Sequence, residues 1–303
     1  MYPSFRQLQI FLALADRGSV TEAARLCGVT QPTASMQLKD LAQTMGVPLF
    51  DVIGRRVHLT EAGRTLATSA RMILTEWEGL TQHMDGVRGL TRGRLSIAVV
   101  STAKYFMPRL LASFFKQHPD IDVALEVLNR DGVVARLRDN LDDLTIMSMP
   151  PADIETEQAS FLPNPLVAIA SLDHPLHQIS AIPLSRFVED RLILREKGSG
   201  TRLAIDVAFA AAGLTPRIRL ELGSNEAIKQ SVAGGMGVGI VSRHALSADS
   251  AREGLAIPAI AGFPIETMWR IVFLKGKRLS PIARAFRDHL LIEARTILTA
   301  PSG

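Results

Sequence analysis

Between residues 60 and 88 the chain contains no proline, and Leu66, Ala70, Ile73, Trp77, Leu80, Met84 and Val87 recur at steps of four and three. That spacing predicts one long amphipathic helix with a heptad seam. At 1.5 Å per residue it extends ~40 Å, more than a small domain needs. Its apolar stripe has to be covered, and a second copy of the chain is the simplest cover.

Shorter patterns precede it. Ala23, Ala24 and Leu26 suit a tight helix opened by Ser19 and Glu22 in a capping-box arrangement. Cys27-Gly28-Val29 follows as a turn, its glycine free to take a positive φ. A second helix opens at Thr30 with Pro32 in its first turn. Ala34, Leu38, Leu41 and Met45 are its core face, and Gln31, Thr33, Ser35, Met36, Gln37 and Lys39 its polar face. Such hydrogen-bonding side chains reach base edges in a major groove. After Leu49-Phe50, the residues Gly54, Arg55, Arg56 and His58 sit between apolar positions and predict a hairpin whose basic tip lies along phosphates. The order is that of a winged helix-turn-helix.

Beyond residue 93 the period changes. Gly86, Gly89 and Gly93, with Arg88, Arg92 and Arg94 around them, predict a hinge. Apolar runs at 95–100, 123–128, 145–149, 166–170, 192–194, 218–222 and 238–241 then alternate with helical stretches, an α/β pattern with mostly parallel strands. Pro163, Pro165 and Pro264 bracket a middle block, so the chain is expected to cross into a second lobe and return with the strand at 268–274.

In three places a strand feeds a helix N-terminus, where free amides and the positive helix end favour anions. Val100 leads into Ser101, Thr102 and Lys104, Leu194 into Arg195, Ser199, Gly200, Thr201 and Arg202, and Leu222 into Ser224 and Asn225. The second is the sharpest, with Arg202 expected to clamp a phosphate or carboxylate in bidentate fashion. Helix capping alone would explain any single segment; their coincidence points to a ligand site.

Composition narrows the classes. A length of 303 residues suits two or three domains, and 47% hydrophobic content is ample for their cores. The net charge is +4, and residues 1–72 hold eight Lys or Arg against five Asp or Glu, so +3 of it sits at the proposed DNA-binding end. Cys27 is the single cysteine, read as a small buried thiol rather than a redox sensor, with no disulfide and no cysteine-based zinc site. The seven histidines show no ligand spacing, so no metal is expected. No apolar run approaches the ~20 residues of a membrane span, and the N-terminus lacks a signal pattern, so a cytoplasmic protein is expected. Serine-hydrolase, zinc-protease and Walker-type motifs are lacking. Gly234-Gly235-Met236-Gly237-Val238-Gly239 closes a helix and precedes a strand, the reverse of a dinucleotide fingerprint.

The runs Phe11-Leu12-Ala13-Leu14-Ala15, Gly18-Ser19-Val20-Thr21-Glu22-Ala23-Ala24, Val29-Thr30-Gln31-Pro32-Thr33-Ala34-Ser35, Leu49-Phe50 and Leu59-Thr60-Glu61-Ala62-Gly63 resemble the N-terminal domain of LysR-type transcriptional regulators. The resemblance places Gln31, Pro32, Thr33, Ser35 and Arg55 on DNA; Thr30, Met36, Lys39 and Arg56 complete the expected set. Asp51-Val52 departs from the family's acidic residue followed by arginine, and Met36 replaces a frequent arginine. The family's architecture then implies a winged domain at 1–60, a dimerising linker helix and hinge at 61–91, and an effector-binding domain at 92–303. That last domain is implied to have the two-lobed form of periplasmic binding proteins (lobe 1, 92–163 and 268–303; lobe 2, 164–267).

Ser101-Thr102-Ala103-Lys104-Tyr105-Phe106, Leu194-Arg195-Glu196, Gly198-Ser199-Gly200-Thr201-Arg202, Leu222-Gly223-Ser224-Asn225-Glu226 and Lys277-Arg278-Leu279-Ser280-Pro281 look like the CbbR branch, regulators of Calvin-cycle operons, as does Asn129-Arg130. That implies an anionic effector such as a sugar bisphosphate, phosphoglycolate or NADPH and no bound cofactor. The implied partners are promoter DNA, RNA polymerase and further copies of the chain, as a homodimer or homotetramer. Ser148-Met149-Pro150-Pro151 stands where relatives often carry Gly-Arg-Pro-Pro. A phosphometabolite enzyme, a repressor without an effector, and a regulator of another operon stay open as alternatives. Gln31→Ala is predicted to lose discrimination between operator and random duplex in a competition binding assay; unaltered discrimination removes Gln31 from the readout.

Overall fold

The computed structural model describes residues 2–53, 56–87, 93–179 and 181–299. They form two compact units that divide near residue 88. Residues 88–92 of the expected hinge, and Gly54 and Arg55 of the expected wing tip, lie outside the described residues.

The first unit opens with α1 (Phe5–Arg17), whose cap the hydrophobic pattern did not announce. Ser4 accepts from the Gln7 amide while the Gln7 side chain accepts from the Ser4 amide, and Gly18 closes the helix at φ 64°. Helix α2 (Val20–Leu26) is capped by Ser19. Gly28, at φ 63°, turns the chain into α3 (Gln31–Met45), capped by Thr30. Ala34, Leu38 and Leu41 are buried against α1, but Met45, expected in the core, is 40% exposed because it is the last residue before Gly46 ends the helix. Cys27, expected to be buried, is only half-buried, since it caps the exposed end of α2. Strands β1 (Phe50–Ile53) and β2 (Arg56–Leu59) pair antiparallel as the wing, and the Val57 amide donates to the Gly18 carbonyl to fasten it to the end of α1.

Helix α4 (Glu61–Val87) runs 27 residues without a break. Its predicted seam divides. Leu66 and Ala70, together with Ala67, are buried in the winged-helix core, whereas Ile73, Trp77, Leu80 and Met84 are between 45% and 54% exposed. The side chain of Val87, the last predicted seam position, lies outside the described residues. Trp77 leans on Phe5 with ring centroids 5.2 Å apart.

The second unit has two five-stranded sheets. Lobe 1 contains β3 (Gly93–Val100), α5 (Met107–Gln117), β4 (Ile121–Leu128), α6 (Arg130–Arg138), β5 (Leu144–Met147) and β6 (Thr156–Pro163). Lobe 2 follows with β7 (Leu166–Ser171), α7 (Leu184–Val188), β8 (Arg191–Arg195), α8 (Gly200–Ala211), β9 (Arg217–Leu222), α9 (Asn225–Ala233), β10 (Val238–Ser242) and β11 (Leu255–Ala256). The chain returns to lobe 1 through β12 (Met268–Leu274) and α10 (Pro281–Thr299). The strand orders are β4-β3-β5-β12-β6 and β11-β7-β10-β8-β9.

The expectation of mostly parallel strands is corrected: β3 with β4 and β5, and β8 with β9 and β10, are parallel, but β12 with β5 and β6, and β7 with β10 and β11, are antiparallel. The cause is the crossing itself. A chain that leaves one sheet and later returns to it contributes an outgoing and an incoming strand of opposite direction. The two crossing segments are laced together: Asn164 donates to the Thr267 carbonyl at 2.8 Å, and Leu166 and Ile265 exchange backbone bonds of 2.9 Å. In lobe 1, Phe114 stacks edge-on against Phe286 at 4.9 Å, holding α5 to α10. In lobe 2, Leu166, Ala168 and Ala170 enter one core while Val167 and Ile169 enter another, so β7 is covered on both faces.

Gly63 fixes how α4 joins the winged domain. A Cβ there would stand 1.8 Å from the Leu49 carbonyl oxygen, which already accepts from the Thr60 amide. Gly63→Ala is therefore predicted to destabilise the winged domain by ~1–3 kcal/mol, read as a lower urea midpoint and weaker DNA binding; an unchanged midpoint would show that the junction yields.

Candidate functional site

Two surfaces gather the candidate residues. On α3, Thr30, Gln31, Pro32, Ser35, Met36 and Lys39 are exposed and Thr33 is half-buried. The face is pre-organised: the Gln31 amide donates to Ser35 Oγ at 3.1 Å, and the Thr30 and Thr33 hydroxyls share a 2.8 Å bond at the cap. Thr30 and Thr33 are thus partly engaged in holding the helix end, while Gln31, Pro32, Ser35, Met36 and Lys39 stand exposed along the face. Arg56 is exposed on β2, and Arg55 lies outside the described residues.

The second surface is a small cavity between the two lobes of the second unit, lined by Val100, Ser101, Thr102, Arg130, Ser148, Arg195, Ser199, Gly200, Thr201 and Trp269. Seven of the twelve expected effector residues meet there: Ser101, Thr102, Arg130, Arg195, Ser199, Gly200 and Thr201. The topology brings them together because β3 and β8 both end at this edge. After β3 the chain turns into a short 3-10 helix over Ser101–Tyr105, and after β8 into α8. The cap residue of α8, Ser199, makes no side-chain bond to the first turn, so its hydroxyl and the turn's leading amides are not spent on each other. The free volume is ≈10 Å³, about the space of one water molecule.

Closure is tight. Gly198 adopts φ 90°, a conformation strained for residues with a Cβ, and a Cβ on it would lie 2.4 Å from an Asp131 carboxylate oxygen of the other lobe, which would have to swing aside. Arg195, 2% exposed, donates across the cleft to Ser101 Oγ at 3.1 Å and along its own strand end to Glu196 at 2.8 and 3.0 Å. Arg130 is held by a 2.6 Å bond from Nε to the Met149 carbonyl.

Five expected contacts have other work. Arg202 does not line the cavity. Its Nε donates to both oxygens of Asp206 at 2.9 and 3.0 Å, and an outer nitrogen donates to Glu221 at 2.8 Å and to the Arg195 carbonyl at 3.1 Å. Burial opposes its charge, but the Glu221 and Asp206 bonds outweigh it and hold the guanidinium above its usual range. The same bond from Arg202 holds Glu221 below the usual carboxylate range. The clamp expected on a ligand is thus a strut between α8 and β9. Asn129 accepts from the Gly132 amide, capping α6, and Ser224 accepts from the Ala227 amide, capping α9.

Lys104 and Asn225 join the lobes instead of lining the cavity. Lys104 donates to Glu226 at 3.0 Å, Tyr105 donates to the other oxygen of the same carboxylate, and Asn225 donates to Thr102 Oγ1 at 3.2 Å. Burial works against the Glu226 charge, yet the bonds from Tyr105 and Lys104 prevail and hold its pKa below the usual range. Burial, reinforced by that carboxylate, pushes the Tyr105 phenol upward.

Ser148 and Trp269 were not among the expected contacts. Ser148 sits in the Ser148-Met149-Pro150-Pro151 run that stands out in the sequence, a readable signal; Trp269 lies in an apolar strand run that gives none. Among the described residues no cluster of histidine, cysteine, aspartate and glutamate could hold a metal, and no helix is long and apolar enough to cross a membrane.

The chain matches two family models, the bacterial regulatory helix-turn-helix of the LysR family over residues 5–64 and the LysR substrate-binding domain over residues 88–295. It is 40% identical over 297 residues to the transcriptional activator CmpR of Synechocystis, covering 98% of each chain. To a RuBisCO operon transcriptional regulator of Acidithiobacillus ferrooxidans it is 42% identical over 301 residues, covering 99% of this chain and 97% of the relative. The solved regulatory domain of Synechocystis CcmR, in complex with 2-phosphoglycolate, is 47% identical with a TM-score of 0.64, over 69% of this chain and all of that one. Full-length CbnR complexed with its target DNA is 25% identical with a TM-score of 0.63, over 95% and 98%.

The geometry makes Arg202→Ala a stability variant: it is predicted to lower the effector domain's unfolding free energy by ~1.5–3 kcal/mol, the worth of a hydrogen-bonded charge. A denaturation midpoint left unchanged, alongside a lost ligand response, would return Arg202 to the binding site.

Proposed function

The chain belongs to the LysR family of bacterial transcriptional regulators, and from there we propose that it controls carbon-fixation genes in response to a small phosphorylated anion. It is a DNA-binding regulator and not an enzyme. The carbon-fixation assignment draws on the regulators of such operons that it resembles over nearly its whole length. The observation that supports the ligand class is the lobe-to-lobe cavity. There the open first turn of α8, with Ser199 and Thr201, faces Ser101, Thr102, Arg130 and Arg195. Amides at a helix start, four hydroxyls and two guanidinium groups suit a phosphoryl group. 2-Phosphoglycolate, the ligand of the CcmR domain, is the first candidate; a sugar bisphosphate or NADPH is larger and needs a wider opening of the lobes.

In this reading residues 1–60 hold promoter DNA through Thr30, Gln31, Pro32, Thr33, Ser35, Met36, Lys39, Arg55 and Arg56. Residues 61–91 pair two copies through the exposed end of the α4 stripe, dimers join as tetramers, and the assembly works with RNA polymerase in the cytoplasm. Residues 92–303 sense the metabolite. An anion that binds one lobe arrangement better than another shifts the equilibrium by its difference in affinity, and ~1–3 kcal/mol changes promoter occupancy or bending severalfold.

Thermal shift tests this. At a hundredfold excess over Kd a ligand selective for the folded state adds ~2.7 kcal/mol, which for a domain of this size raises Tm by roughly 5–10 °C. 2-Phosphoglycolate is predicted to produce such a rise and Thr201→Val to reduce it by more than half. If no phosphorylated metabolite moves the wild-type Tm, the cavity is not the sensor.

A further inference from the structure

Trp269 lines the cavity from β12, the strand by which the chain returns from lobe 2 to lobe 1. It is 1% exposed, and its indole nitrogen is buried with no hydrogen-bond partner among the described residues. An indole N–H can only donate, and buried donors normally find an acceptor. The pairing of β12 with β6 shifts register between Trp269 and Arg270, an irregularity of the kind that re-aims a side chain beside a site. The ring is fixed where it stands by Phe106, at 5.1 Å between centroids, and by His244 at 6.5 Å. Its neighbour Arg270 donates to the Ser148 carbonyl at 2.8 Å, drawing the second unassigned lining residue to the same wall. Burial lowers the His244 pKa, and the Arg270 donor on this side is turned to the backbone.

Resting on the function proposed above, we infer that Trp269 contacts the effector, donating its indole N–H to an oxygen at the end remote from the phosphoryl group, with Ser148 beside it. The cavity is then two-ended. The first turn of α8, Ser199 and Thr201 take the phosphoryl group, and the neutral donors Trp269 and Ser148 take a second acceptor, a carboxylate or hydroxyl oxygen a short carbon spacer away. The ligand class is a short phosphorylated acid or polyol, and inorganic phosphate fills one end only. Because Trp269 stands on a crossing strand, an effector held by it touches the segment about which the lobes are joined.

The test compares 2-phosphoglycolate with inorganic phosphate on the full-length protein by calorimetric titration. Trp269→Phe keeps the ring and removes the donor; it is expected to weaken 2-phosphoglycolate at least tenfold while changing phosphate binding less than twofold. If Trp269→Phe binds 2-phosphoglycolate like the wild type while Thr201→Val does not, the indole contact is refuted and the anion site stands. If the wild type binds neither probe, the functional reading fails and takes the inference with it. The wild-type protein supplies a check that needs no variant. Of the two tryptophan indole N–H resonances, the buried, slowly exchanging one should move downfield with 2-phosphoglycolate and stay with phosphate. A resonance unmoved by 2-phosphoglycolate overturns the contact.

Discussion

The second unit depends on one constraint: its chain passes between the lobes twice, in opposite directions, and the two passes are tied to each other. Asn164 is buried where they cross, donating its amide to the Thr267 carbonyl, accepting the Thr267 hydroxyl on its own carbonyl, and taking the Ser242 hydroxyl on its side chain. Two laced strands resist twisting more than one would, and they leave a bend as the easiest motion. The mixed sheets follow from the same crossing. So does the site, because both sheets turn the ends of their parallel strands, β3 and β8, toward the shared edge.

That edge has little free positive charge. Arg202 is taken up by Asp206 and Glu221, Arg195 shares its guanidinium with Glu196, and Lys104 is matched by Glu226. The cavity wall at this edge is made chiefly of hydroxyls and the start of α8, with the Arg130 and Arg195 guanidinium groups beside them already held by Met149 and Glu196. Such donors are demanding about geometry. A site of loose lysines would attract any polyanion, whereas this one rewards a ligand whose oxygens fall where the donors already point.

Local features were readable from the chain and distant ones were not. The Thr30 cap, Pro32, the Gly28 turn and the burial of Ala34, Leu38 and Leu41 all depend on neighbours within a few residues. The return at Met268 was legible from the flanking prolines and the apolar run. Strand β6 was not, because an edge strand covered only around Phe161 and Leu162 shows no regular alternation. The bonding of Arg202 is instructive. Asp206, four residues on, is a helix-spaced partner visible in the sequence, but Glu221 reaches it only because β9 lies beside β8. The place of Trp269 on the cavity wall was invisible for a similar reason, since it depends on how β12 pairs with strands distant in sequence, including a register shift that no residue pattern encodes.

A cavity with room for about one water molecule has a consequence in time. In the proposed function a phosphorylated metabolite is larger than this space, so association would wait for the bonds of Glu226 with Tyr105 and Lys104 to part, and release would wait for them to part again. Entry and exit are then gated by the same opening, and a bound anion outlasts brief fluctuations in its concentration. A promoter governed this way averages the metabolic signal over the dwell time of the closed form, answering sustained change and ignoring flicker.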